Sequence, residues 1–269
     1  MSVPGGFRID TTEHFAHLPG APIQEAVIGV GAHAKSPWDE REVREALKAM
    51  VDDYAYLDSL REVEFKGKVE PGKQPTQTIR DKGWKGHRVK SPDGKNIAQF
   101  NRDGFVFSRL RPYQDWARFV SEATRLWQGY REIAKPDEVG RLGLRYINRF
   151  PLSLNERDIG SYLQPAPQTP RGVGLVLGQF LHHDLLTVPE HPYAVRVVKT
   201  LQEPQGRDDL RCYAILDIDA FTLVAFEPAD EALGSRLEDL RWLKNKVFFG
   251  SITDKALAAF KEEEPNGAM

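Results

Sequence analysis

The 269-residue chain holds a single cysteine, Cys212, which excludes an intrachain disulfide and any multi-cysteine zinc site. One thiol suits a reducing compartment. Long apolar runs are also missing, and none approaches the ~20 residues that a membrane helix needs. Met1 to Asp10 contains neither a basic region nor an apolar stretch, so no secretory leader is read there. There is no Walker A loop, no GxGxxG fingerprint and no GxSxG elbow. Gly29-Val30-Gly31 falls in a strand pattern with no glycine-rich helix start after it, which argues against a nucleotide cradle. These absences point to a cytoplasmic protein without a cofactor.

Charge is ordinary in amount and uneven in placement. The whole chain is −2, while residues 84–150 hold 14 Lys and Arg against 7 Asp and Glu, a net +7. The remainder is therefore −9. Within the basic stretch, Arg141, Arg145 and Arg149 share one face of a strand by the two-residue period of extended chain.

The hydrophobic pattern divides the chain into an irregular segment 1–21, a first lobe 22–150, a Pro-rich connection 151–171 and a second lobe 172–262. Pro22 to Val30 reads as an interior strand, apolar on both faces. Ser36-Pro37-Trp38-Asp39 resembles a helix start, with Ser36 as cap. Val43, Leu47, Met50, Val51, Tyr54, Leu57 and Leu60 continue it as one amphipathic helix over 38–61. Val63 to Val69 alternates as a half-exposed strand, and 71–83 reads as a loop. Turn signals at Ser91-Pro92-Asp93-Gly94 and Arg102-Asp103-Gly104 predict a three-stranded meander over 86–110. Helices follow at 112–134 and 231–249, the second restarting after Thr253. A short helix is read around 154–163, strands at 139–150, 172–188, 193–203 and 211–226, and a turn at 203–209. Strand blocks joined by hairpins, each followed by a helix, predict an α+β fold: a mostly antiparallel sheet with helices on one face, in two sub-lobes.

Pro22-Ile23-Gln24-Glu25-Ala26-Val27, Gln99-Phe100-Asn101-Arg102-Asp103-Gly104-Phe105, Pro112-Tyr113 with Trp116, Leu144-Arg145-Tyr146-Ile147-Asn148, and Phe249 with Ile252-Thr253 occur in that order. In this pattern the chain resembles a sporadically distributed family of uncharacterised bacterial proteins of similar length, over most of residues 22–260. The resemblance implies no activity. Patchy distribution of that kind implies a setting in bacterial defence or toxin–antitoxin genes.

Two constellations are candidates for function. Arg141, Arg145 and Arg149 sit about 13 Å apart in sequence along a strand, and Arg102 and Arg109 on the meander could extend the stripe. Guanidinium forks suit phosphate or carboxylate, so the face could bind an acidic protein partner or track a nucleic-acid backbone. The same arginines could instead pair with carboxylates of the acidic remainder. Asp217 and Asp219 also share a strand face, where they could hold a divalent cation with Glu227, or with His182 and Asp184, as third ligand. Their alternative is an acidic face that partners the arginines. His182-His183-Asp184 and Cys212 read as structural. The leading expectation is a non-enzymatic interaction protein that binds a protein partner. Nucleic-acid binding and a metal-dependent phosphodiester or nucleotide hydrolase are the alternatives.

Overall fold

The computed structural model describes residues 6–68, 76–152, 159–170, 172, 174–175, 177–202 and 212–262. Nine strands form one antiparallel sheet: β1 (Ile23–Gly31), β2 (Ala55–Lys68), β3 (Thr76–Lys90), β4 (Asn96–Asn101), β5 (Gly104–Leu110), β6 (Arg141–Leu152), β7 (Leu181–Thr187), β8 (Tyr193–Gln202) and β9 (Cys212–Thr222). They lie in the order β2-β3-β4-β5-β1-β6-β9-β8-β7. Helices α1 (Glu40–Met50), α2 (Trp116–Ala134), α3 (Asp230–Ser251) and α4 (Asp254–Lys261) complete the fold. The α+β class, the antiparallel sheet and the single helix-covered face are as the sequence indicates.

The two halves share an order of elements. In the first, β1 leads through α1 to the meander β2–β5 and then α2. In the second, β6 leads through one 3-10 turn (Ile159–Ser161) to the meander β7–β9 and then α3. In each, the last meander strand returns beside the first strand of that half, and β1 pairs β6 at the centre.

Alternation selects the buried face. Ala26, Ile28 and Val30 of β1 point to the helices, as do Leu142, Leu144 and Tyr146 of β6 and Leu216, Ile218 and Ala220 of β9. Phe105 and Phe107 of β5 meet Trp127 and Phe119 of α2 on that side. Trp127 is fully buried and stacks on Tyr130, whose hydroxyl donates to the Ala32 carbonyl at 2.6 Å. Phe260 of α4 closes on Phe150. Asp115 and Thr253 cap α2 and α4 by accepting from the Arg118 and Ala256 amides.

Three sequence expectations are corrected. The first helix is shorter than 38–61: it ends at Met50, and residues from Ala55 onward form β2. Asp52-Asp53 interrupts the pattern, and ladder bonds from Ala55 to β3 replace continued helix. The cap is Asp39, which accepts from the amides of Arg41 and Glu42, and not Ser36, whose hydroxyl donates to the Ile133 carbonyl. Most of the expected loop 71–83 belongs to β3, with Phe65 facing Ile79 across the hairpin. The expected turn at 203–209, the helix start at 154–158 and the tail beyond 262 lie outside the described residues.

Candidate functional site

The sheet face without helices carries the odd-numbered residues of β6 and β9, and register places Arg145 opposite Asp219, and Ile147 opposite Asp217. Arg141, Arg145 and Arg149 therefore do share this face. They are already engaged. Arg145 donates to Asp217 through Nε at 2.8 Å and Nη2 at 2.5 Å, a bidentate fork. Arg141 Nη2 donates to Asp219 at 3.0 Å. Arg149 lies 3.5 Å above the Tyr213 ring, a cation–π contact.

A fourth arginine joins from β8. Arg196 stands opposite Asp219 and approaches it at 3.7 Å. Asp219 thus lies among three guanidinium groups while only 7 % exposed. Its burial raises the carboxyl above the ordinary aspartate value, against the pull of Arg141, Arg196 and Arg145. The hydrogen bond from Arg145 to Asp217 holds that guanidinium more firmly protonated.

Glycine makes this packing possible. Gly143 faces Phe221 across the ladder, and Arg141 runs over both: a Cβ on Gly143 would sit 2.7 Å from Arg141 Nη1. Arg141 and Arg196 lie 5.4 and 5.6 Å from the Phe221 ring centre. Phe221 is consequently buried although it points away from the helices.

Arg109 does not extend the stripe. It shares the phase of Phe105 and Phe107 and turns toward the helix side, where Asp93, Asn96 and the Pro112 carbonyl accept from it. There it lines a cavity of about 320 Å³ with Phe107, Tyr113 and Phe119. Arg102 lies exposed in the β4–β5 turn, away from the row on β6.

The carboxylate pair has no third ligand in the positions expected. Asp184 faces Val197, which faces Ile218, so Asp184 and His182 lie on the helix side of the sheet, opposite to Asp217 and Asp219. His182 instead approaches Asp184 at 3.2 Å. Glu227 is exposed and follows the end of β9. Among the described residues no cluster of three metal-ligating side chains occurs. Cys212 is buried, as expected of a structural thiol.

Arg196, Phe221 and Tyr213 are the residues of this face that sequence reasoning missed. On the opposite, helix-covered side it also missed Lys244 of α3, whose ammonium lies 4.0 Å from the Tyr146 ring. Burial, reinforced by Arg241, pushes it down to about 7. Tyr146 in turn shares a 2.9 Å hydroxyl–hydroxyl bond with Tyr113. No described helix is long and apolar enough to cross a membrane. Compared with known protein families the chain matches none, and compared with curated proteins it likewise finds no match.

Proposed function

We propose that this chain is a non-enzymatic interaction protein of the cytoplasm that holds a protein partner against the helix-free face of its sheet. The carrying observation is that two arginines of the stripe already have carboxylate partners, Arg141 in Asp219 and Arg145 in Asp217, while Arg149 lies against the Tyr213 ring. A nucleic-acid surface works by offering free cations to phosphates and releasing counterions. A face of paired charges set among Val27, Val106 and Ile147 matches the mixed character of protein interfaces, where arginine and aromatic side chains are enriched. The resemblance to a patchily distributed bacterial family supports a setting in a defence or toxin–antitoxin system.

The test is capture from native lysate, with and without nuclease, by wild type and by Val106→Arg. Val106 is half-buried at the centre of the face, opposite Gly29 and Gln99 and outside every ion pair described. A stoichiometric protein that survives nuclease and is lost with Val106→Arg, while the circular dichroism spectrum is unchanged, supports the reading. Capture of nuclease-sensitive material that Val106→Arg leaves intact overturns it.

A further inference from the structure

β7 is the outermost strand of its half, and among the described residues no strand pairs with its outer edge. Leu181 is 73 % exposed, Leu185 60 % and Leu186 46 %. No lysine, proline or bulge interrupts Leu181–Thr187, although such devices normally keep an open edge from pairing. At the other margin, β2 interleaves its exposed Val63 and Phe65 with Arg61, Glu62 and Glu64.

The sequence of the β7 edge is self-complementary. Residues 181–185 read Leu-His-His-Asp-Leu. A twofold axis normal to the sheet keeps each side chain on its own face, so an antiparallel pair of identical strands must centre on a residue. Centred on His183, Leu181 of one copy meets Leu185 of the other, His182 meets Asp184, and His183 meets itself. Both leucine pairs and the His183 pair fall on the helix-free face, because Leu181, His183 and Leu185 stand beside Thr200, Val198 and Arg196. Both His182–Asp184 pairs fall on the helix side, beside Lys199 and Val197. Centred on Asp184, the same strand would instead oppose two carboxylates, and centred on Leu185 it would set Asp184 against Leu186; the His183 register alone pairs His182 with Asp184.

We infer that the chain forms a twofold dimer by antiparallel pairing of β7 with β7 of a second copy about His183, which joins the two nine-stranded sheets. The main-chain ladder supplies the contact, as in other strand additions to an open edge. The His182–Asp184 and Leu181–Leu185 pairs set the register. The inference is independent of the proposed partner face, whose central residues lie on β5, β1 and β6.

Cross-linking reads the register directly. Facing residues of an antiparallel pair have Cα atoms about 4.5–5.5 Å apart, within the disulfide range of about 4.4–6.8 Å. The two Leu185 residues would be four positions apart, about 13 Å. Oxidised His183→Cys is expected to give a covalent dimer at least about tenfold faster than Leu185→Cys, against a background of one buried thiol, Cys212. Wild type should show twice the 30.5 kDa mass of the chain by light scattering. Leu185→Lys should weaken self-association at least about tenfold, with an unchanged circular dichroism spectrum. A wild-type monomer at about 100 µM, where a weak edge contact would still be populated, overturns the inference. So does a dimer that Leu185→Lys leaves intact, or Leu185→Cys cross-linking as fast as His183→Cys.

Discussion

Arg145 stands directly across the β6–β9 ladder from Asp219, yet its fork closes on Asp217, one diagonal step away. Asp219 is left to Arg141 and Arg196, which reach it from the far end of β6 and from β8. The aspartates thus tie three strands together through side chains alone.

Removing one member of the fork should be costly because its partner is then left in a partly dry site. Asp217 has 14 % of its side chain exposed, so Arg145→Gln, which leaves that carboxylate without its fork, is expected to cost about 1–2 kcal/mol of stability. The double variant Arg145→Gln with Asp217→Asn should cost less than the sum of the two single changes. Urea unfolding of the four proteins measures both quantities; strict additivity would show that the fork contributes nothing.

Asp93 gives an acid-side dependence. The Ser91 hydroxyl, the Lys95 amide and Arg109 hold its carboxyl down at about 2, below the ordinary 3.8. A carboxyl lowered on folding adds stability above its unfolded value and loses it as pH falls toward its folded value. Asp93 is half exposed, so screening limits the contribution to at most about 1 kcal/mol. Asp93→Asn should therefore destabilise at pH 7 and converge with wild type near pH 2, in paired thermal melts.

Lys244 acts in the opposite sense. A lysine lowered on folding carries its penalty fully below its folded value of about 7, and the penalty is relieved as pH rises toward the unfolded 10.5. Lys244→Met should raise stability at pH 6 by about 1 kcal/mol, a modest figure because the side chain is only half-buried. At pH 9 the gain should shrink. Chemical denaturation at the two pH values decides; an equal gain at both would mean that the charge plays no part.

Two glycines make a contrast. A Cβ on Gly86 would lie 2.1 Å from the Phe100 carbonyl oxygen, which belongs to the ladder and has nowhere to go. Gly86→Ala should destabilise by about 2 kcal/mol or more. On Gly143 the atom displaced is the far end of Arg141. Gly143→Ala should cost less, about 1 kcal/mol, since a flexible side chain can swing aside at the expense of its bond to Asp219. Melting temperatures of the two variants compare them.

Local patterns in the sequence carried much of this architecture. The stripe from Phe119 to Tyr130 defines α2, and the turns at Asp93-Gly94 and Asp103-Gly104 define the β3–β5 meander. Strand phase placed Arg141, Arg145 and Arg149 together. The same phase argument, applied to Arg109 beside Phe105 and Phe107, would have set it on the helix side. Tyr54, Leu57 and Leu60 satisfy a helical spacing, but the strand that pairs with the segment from Ala55 onward, β3, begins about twenty residues later. What stayed hidden depends on pairing between distant strands. Nothing near Asp219 in sequence announces Arg196, because only the β9–β8 pairing brings it there, whereas its bond to Arg141 is the acidic-face alternative that strand phase already offered. Lys244 was hidden for a similar reason, since its neighbour Tyr146 lies about a hundred residues earlier, on β6.

The central β1–β6 pair has a consequence for the molecule as a whole. The seam between the halves is a full ladder from Glu25–Ile147 to Gly31–Arg141, and β6 is held by β9 on its other side. Neither half can melt without stripping a neighbour of its hydrogen bonds, so heat should dissolve both together in one transition. Cleavage of the backbone between β6 and β7 should likewise leave two fragments that travel as one particle until denaturant parts them.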